Sequence, residues 1–349
     1  MQMNTQNTPF FLTGLWESGI NTLWPYIREQ DGILCFYEPL HPSFSKITRK
    51  WVGQDTSAMK IMGNAPVTTP DKSLYAEMIP FIGTNILGRG VKGYKAKYSD
   101  ENFVMRANFE ALEMQGYFKQ FITFAEKQNK RAIIAEHRFI YRLGWAKAHI
   151  PGTYAHVTRD PYAIWSIYQN ALDRGYSRFF LKWFKIFEKN TETWLGHMGA
   201  PLHLRKGMDQ YLIYDESFYK DVLTHMTRAE TYRLVYGVWL KALFEALYNA
   251  DFIIDMDKMS DKRAQDRITQ QIENASGLSL DFSSFELKSF SQVEHKFEPQ
   301  KIEDVIATEF GVYLKSQNRR DAKLILNSDL SHLSDKAQRS LKIVASVFD

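Results

Sequence analysis

The sequence predicts an α/β fold: a central parallel sheet of about five strands flanked by helices in three layers. Two observations carry this. Short apolar, β-rich runs recur at residues 9–14, 32–42, 131–137, 152–160 and 251–259. Stretches with helical apolar spacing separate them, and a helix between two strands is the usual crossover of a parallel sheet.

In chain order, PFFLTG (9–14) is too short for a stable helix and ends on Gly14, so it reads as a buried strand. The next residues, to about 30, read as a glycine-bearing turn and a helix. GILCFYEPLHP (32–42) is a second strand, stopped by Pro39 and Pro42. Residues 45–100 are rich in Gly, Pro, Ser, Thr and Lys and predict irregular structure with short helices, in the manner of a lid or substrate loop. The spacing over 101–129 predicts one or two helices, and RAIIAEH (131–137) a third strand. GTYAHVTRD (152–160) is a fourth strand, with Asp160 as N-cap and Pro161 at the first position of the helix behind it. Long aromatic helices fill 174–250, with the aromatics of 177–195 reading mostly as core. DFIIDMDKM (251–259) is the fifth strand, and a helix over 261–275 ends at Gly277, a good C-cap. Helical stretches follow residue 300. No repeat or low-complexity tract interrupts this alternation, which argues for one α/β domain.

Composition narrows the function. Against 40 Asp and Glu stand 44 Lys and Arg, a net charge of +4, too small to make the surface a nucleic-acid footprint. Cys35 is the single cysteine, which excludes a disulfide scaffold. No spanning apolar run and no leader-like start occur, so the reading is a soluble, cytoplasmic protein with no transmembrane segment. His197 and His203 are six apart, too far for a helical metal pair, so no metal is expected.

Three segments carry chemistry. The turn 14–22 (GLWESGINT) follows a strand and opens a helix, where free backbone N–H groups and the helix dipole favour anions. Ser18 and Thr22 add hydroxyls, Asn21 an amide, and Gly19 close backbone approach. The G-x-x-x-x-G-K-[ST] pattern of nucleoside-triphosphate P-loops is absent. In TRDPYAIWS (158–166), Arg159 ends a strand and Ser166 follows seven residues on, a pair suited to clamping a phosphate. In YEPLHP (37–42), Glu38 at a strand end is a candidate general base and His41 a second. Each also has a plain reading: an ordinary turn, a capping arginine, a salt-bridged glutamate.

Together the three segments resemble the sulfotransferase superfamily that uses 3′-phosphoadenosine 5′-phosphosulfate. FFLTGLWESGINTLW is similar to the family's 5′-phosphosulfate loop, YAHVTRDPYAIWSIYQ to its 3′-phosphate segment, and CFYEPLHP to the "EPL" segment of carbohydrate sulfotransferases. RAIIAEHRFIYRLGW and DFIIDMDKM…IENASGLSLDF resemble its central strand and a late strand–helix element. The resemblance covers roughly residues 9–43, 130–172 and 250–282. It implies a P-loop-like fold in one domain over 1–300, with 45–100 and 174–250 as insertions near an acceptor cleft and 301–349 as a helical extension. It implies a donor site made of Gly14, Trp16, Glu17, Ser18, Gly19, Ile20, Asn21, Thr22, Arg159 and Ser166, with Glu38 and then His41 as candidate catalytic groups. The implied donor is 3′-phosphoadenosine 5′-phosphosulfate, used without a metal, and the implied acceptor is carbohydrate-like.

The chain departs from the family in its loop. Glu17 stands where the family has a basic residue, Ile20 and Asn21 stand where it has two hydroxyl residues, and the Arg159-to-Ser166 spacing is one shorter than its commonest. Glu17 motivates the alternative of a non-catalytic nucleotide- or glycan-binding protein on the same fold.

Overall fold

The structure, a computed structural model, describes residues 8–52, 73–83, 88–99, 103–202, 216–287, 293–294, 296–319 and 322–348. The order is β1 (Phe10–Gly14), α1 (Ile20–Arg28), β2 (Ile33–Tyr37), α2 (Arg49–Val52), α3 (Leu112–Glu126), β3 (Arg131–Ala135), α4 (Leu143–His149), β4 (Thr153–Thr158) and α5 (Pro161–Asp173). There follow α6 (Arg178–Lys189), α7 (Trp194–Gly199), α8 (Glu216–His225), α9 (Arg228–Asn249), β5 (Phe252–Asp255), α10 (Lys262–Ser276), α11 (Pro299–Ser316), α12 (Ala322–Leu326) and α13 (Asp335–Ser346). They fall into two compact units, Met1–Thr158 with Glu245–Leu287, and Arg159–Phe244 with Lys288–Asp349.

The first unit holds the sheet. Its strands run in the order β2-β3-β1-β4-β5, all parallel. The strands are short and nearly all buried, as in a sheet covered on both faces. Successive residues of a strand point to opposite faces, and β2 shows both layers. The Phe36 ring packs on Phe121 of α3 at 5.1 Å, and the adjacent Tyr37 ring packs on Trp24 of α1 at 5.2 Å. So α3 and α1 cover opposite faces. A fully buried phenylalanine such as Phe36 contributes about 2–3 kcal/mol in such a core.

β1 and β4 lie side by side. The chain leaves β1 toward β2 on one side and leaves β4 toward β5 on the other, so the carboxyl ends of these strands form the topological switch point, the usual ligand crevice of open α/β sheets. Cys35 is a buried core residue of β2.

The second unit is helical and aromatic. Trp165 Nε1 donates to Thr231 Oγ1 at 2.9 Å, and Trp194 Nε1 to the Gly237 carbonyl at 3.0 Å. On α6, Phe179, Phe180, Trp183, Phe184 and Phe187 are buried, so the aromatics of this stretch are core. Asp160 caps α5 by accepting from the Tyr162 amide at 2.8 Å, with Pro161 at the first helical position.

Several boundaries differ from the sequence reading. The helix expected over 101–129 begins only at Leu112. Before it, the backbone bonds outward: the Met105 amide donates to Tyr141 O, while Trp145 Nε1 and His149 Nε2 donate to the Phe109 and Ala107 carbonyls. These tertiary partners outweigh helical propensity. Three strands are also shorter than their apolar runs, because β2, β3 and β5 end where a carboxylate, Glu38, Glu136 or Asp255, turns the chain. Short helices occupy the described parts of 45–100. Residues 53–72, 84–87 and 100 of that stretch, the basic LRKG at 204–207 and His203 lie outside the described residues.

Candidate functional site

The sheet order sets three loops next to one another at the carboxyl edge of the first unit: 38–41 after β2, 136–139 after β3 and 15–19 after β1. The last is an abrupt turn into α1. Glu17 has φ 70° and Gly19 has φ 117°, both left-handed, on either side of Ser18. A Cβ on Gly19 would come within 2.5 Å of Met256 Cγ, so both φ and packing require glycine there. Gly14 is equally constrained, since a Cβ would meet both Ser18 Oγ and the Val157 carbonyl at 2.5 Å.

Helix α1 starts at Ile20 with Gly19 as N-cap and no side-chain cap, so its first amides point out of the helix without the usual partner. Ser18 Oγ is buried and has no hydrogen-bond partner. A buried hydroxyl left in this way costs about 1–3 kcal/mol unless a ligand satisfies it.

Glu38 follows β2 with φ 41° and is 5% exposed. Four non-glycine residues have positive φ among the described residues. Two are Asn129 and Asn318, a residue type that tolerates this region, and the other two are Glu17 and Glu38. Strain held on glutamates in two loops of one sheet edge is the kind found at functional sites.

Glu38 Oε1 accepts from Trp16 Nε1 at 2.8 Å and lies 3.6 Å from His137 Nε2. Its Oε2 lies 3.9 Å from both Arg138 Nη1 and His41 Nε2. His41 is the half-buried member of the group, and its Nδ1 lies 2.6 Å from Ser43 Oγ and 3.3 Å from the Ser43 amide nitrogen, with Nε2 toward Glu38. Arg138 is fully buried, with its guanidinium 5.3 Å over the Trp16 ring and 3.7 Å from Glu136 Oε1. Glu136 ties two loops together, accepting from the Leu40 amide at 2.7 Å and the Arg138 amide at 2.8 Å. Burial pushes its carboxyl up to about 7; Arg138 opposes this and Glu38 adds to it. Tyr37 donates to Asn21 Oδ1 in α1. Burial, then Glu38, Tyr75, Glu17 and Glu136, raises the Tyr37 hydroxyl well above its ordinary value, so it stays protonated.

Gly14, Trp16, Glu17, Ser18, Gly19, Ile20, Asn21, Thr22, Glu38 and His41 therefore gather in the first unit. Arg159 and Ser166 belong to the second, where both are buried at the start of α5. The sequence pattern by itself assigns no role to Tyr37, Glu136, His137 or Arg138. The available signal is the charged run Glu-His-Arg directly after the apolar residues of β3. Of the surface lysines, Lys95 and Lys97 pair with Glu113. Among the described residues no cluster of three or more His, Cys, Asp or Glu suited to a metal occurs, and no helix is long and apolar enough to cross a membrane. No family model, curated protein or solved structure matches the chain.

Proposed function

We propose that the protein is a sulfotransferase that moves a sulfuryl group from 3′-phosphoadenosine 5′-phosphosulfate to a hydroxyl or amine of a carbohydrate-like acceptor. The observation that carries the reading is the loop 14–22: a buried, unpartnered Ser18 hydroxyl between two left-handed residues, at the open N-terminus of α1. An anion seated there satisfies the hydroxyl and the first amides together. The motif resemblance supplies the identity of that anion. The Trp16–Glu38 hydrogen bond sets a carboxylate against the same loop.

In this reading the acceptor oxygen or nitrogen bonds to sulfur as the bond from sulfur to the phosphate oxygen breaks, and the electron pair leaves on that oxygen. Glu38 takes the acceptor proton. Ser18, Asn21, Thr22 and the amides of the α1 N-terminus bind the donor's sulfated phosphate and stabilise the charge that grows on the leaving oxygen. The motif resemblance alone assigns the 3′-phosphate to Arg159 and Ser166. Calorimetry tests the donor assignment: 3′-phosphoadenosine 5′-phosphate binds more tightly than AMP, and equal or absent binding of the two ends the proposal. For the base, Glu38→Gln keeps nucleotide affinity within a few-fold and lowers kcat by about 10²–10⁴-fold. Full turnover by this variant removes Glu38 from the role.

A non-catalytic binding protein is the second reading, favoured by Glu17, whose carboxylate repels a polyanion. Tight nucleotide binding with no sulfated product, by mass spectrometry over a panel of glycans and alcohols, selects it.

A further inference from the structure

Hydrogen-bond accounting around His137 goes one step further. This side chain is 1% exposed, in the first turn after β3. Its Nδ1 lies 2.8 Å from the Gly14 carbonyl oxygen, which can only accept, so Nδ1 carries a hydrogen. Its Nε2 lies 3.3 Å from the Tyr37 hydroxyl oxygen and 3.6 Å from Glu38 Oε1. The single Tyr37 hydrogen is directed at Asn21 Oδ1, so Tyr37 presents a lone pair to His137. Glu38 Oε1 is an acceptor, already taking the Trp16 N–H. Both ring nitrogens thus face acceptors, and a neutral imidazole has one hydrogen for two such positions.

We propose that His137 is held as a buried imidazolium, a positioning residue that keeps Glu38 ionised and fixes its Oε1, so that Oε2, on the side of the half-buried His41, is the oxygen that meets the acceptor. The charged and titratable groups facing the pair are Tyr37 from β2, His41 after it, Glu136 and Arg138 after β3, and Glu17 in the loop after β1. Arg138 and His41 each lie 3.9 Å from Glu38 Oε2 and Arg138 is shared with Glu136, whereas His137 lies 3.6 Å from Glu38 Oε1. His156 in β4 is the control within the same sheet. It is equally buried, but its Nδ1 meets the Thr13 hydroxyl at 3.2 Å, and burial pushes it down to about 3, so it is neutral.

The charge state stands independently of the sulfotransferase reading, whereas its consequence for turnover rests on it. The test is nitrogen NMR of the full chain with labelled histidine, His137 being assigned by the signal lost in His137→Gln and His156 serving as the neutral reference. At pH 7.5 both His137 nitrogens show the protonated shift. In Glu38→Gln one of them moves to the bare-nitrogen shift. A bare Nε2 in the wild type overturns the proposal and means that Asn21 presents its NH₂ to Tyr37. Unchanged double protonation in Glu38→Gln overturns the pairing. In kinetics, His137→Gln lowers kcat at least tenfold with donor KM within a few-fold, and moves the acid limb of kcat upward by about one pH unit, because Glu38 has lost its neighbouring cation. A lower kcat with the limb unmoved overturns the positioning role. Failure of nucleotide binding with the NMR result intact removes the sulfotransferase reading alone.

Discussion

Each unit gathers a network of charges around a buried carboxylate, and the two networks are built on opposite terms. In the second unit, Lys336 of α13 lies 3.0 Å from Asp160 and 3.1 Å from Glu303, Arg339 lies 3.3 Å from Glu303 and pairs with Asp304, and Tyr232 donates to Glu303. Burial opposes the charge of Lys336, but Asp160 and Glu303 outweigh it and raise its affinity for the proton. These partners stand on regular helices or at a cap. At the sheet edge of the first unit, Glu38 stands in a left-handed turn with His137 at 3.6 Å and Arg138 at 3.9 Å, and the loop after β1 holds a buried hydroxyl, Ser18, with no partner. The first arrangement is satisfied and serves stability. The second carries backbone strain at Glu17 and Glu38 and one unsatisfied hydroxyl, Ser18, which is able to engage a ligand.

Breaking the tight network gives the largest expected loss. Glu303→Ala takes one carboxylate from Lys336 and Arg339, which keep Asp160 and Asp304, and leaves the buried Tyr232 hydroxyl without its acceptor; urea unfolding should show a loss of about 2–4 kcal/mol. A loss below about 1 kcal/mol would put the two networks on equal terms.

The loose network responds to pH instead. Glu136 binds its proton more tightly folded than unfolded, so the folded state holds more protons between about pH 4.5 and 7 and stability falls as pH rises through that window. The fall should amount to roughly 1–3 kcal/mol relative to Glu136→Gln, measured by denaturant midpoints across the window. A flat difference between the two proteins refutes it.

A similar or smaller effect is expected at Gly19. Gly19→Ala forces a Cβ into the left-handed region and against Met256, costing about 1–3 kcal/mol and weakening nucleotide binding at the α1 N-terminus. Unaltered binding would detach the loop from the site. The smallest change is Glu17→Gly, which relieves one left-handed glutamate at the expense of chain entropy, for a net gain of about a few tenths to 1 kcal/mol in stability. The same variant binds 3′-phosphoadenosine 5′-phosphate more tightly, since a repelling carboxylate is gone. Weaker binding would show that Glu17 holds the loop rather than opposing the anion.

Much of the fold is legible in the order of the amino acids. Apolar runs of strand length mark β1 to β5, and local chemistry marks the helix ends: Asp160 with Pro161, and Gly277, which caps α10 at φ 67°. Glu38 and the 14–22 loop are readable because each follows an apolar run at a strand end. Glu136, His137 and Arg138 stand in the sequence as a charged run without a role, because their partners Gly14, Tyr37 and Leu40 are remote in sequence. The irregular 103–111 stretch has the apolar spacing of a helix, yet its backbone bonds to the Tyr141 carbonyl and to the Trp145 and His149 side chains, which periodicity does not report.

What the sequence determined by itself is the class of fold and the ends of its elements, since short-range apolar spacing and capping act within a few residues. Tertiary structure alone decided that β3 lies between β2 and β1. That order sets the Glu-His-Arg run between the glutamate of one loop and the glycine-bearing turn of the other, and so makes a charged site of residues up to about 120 positions apart.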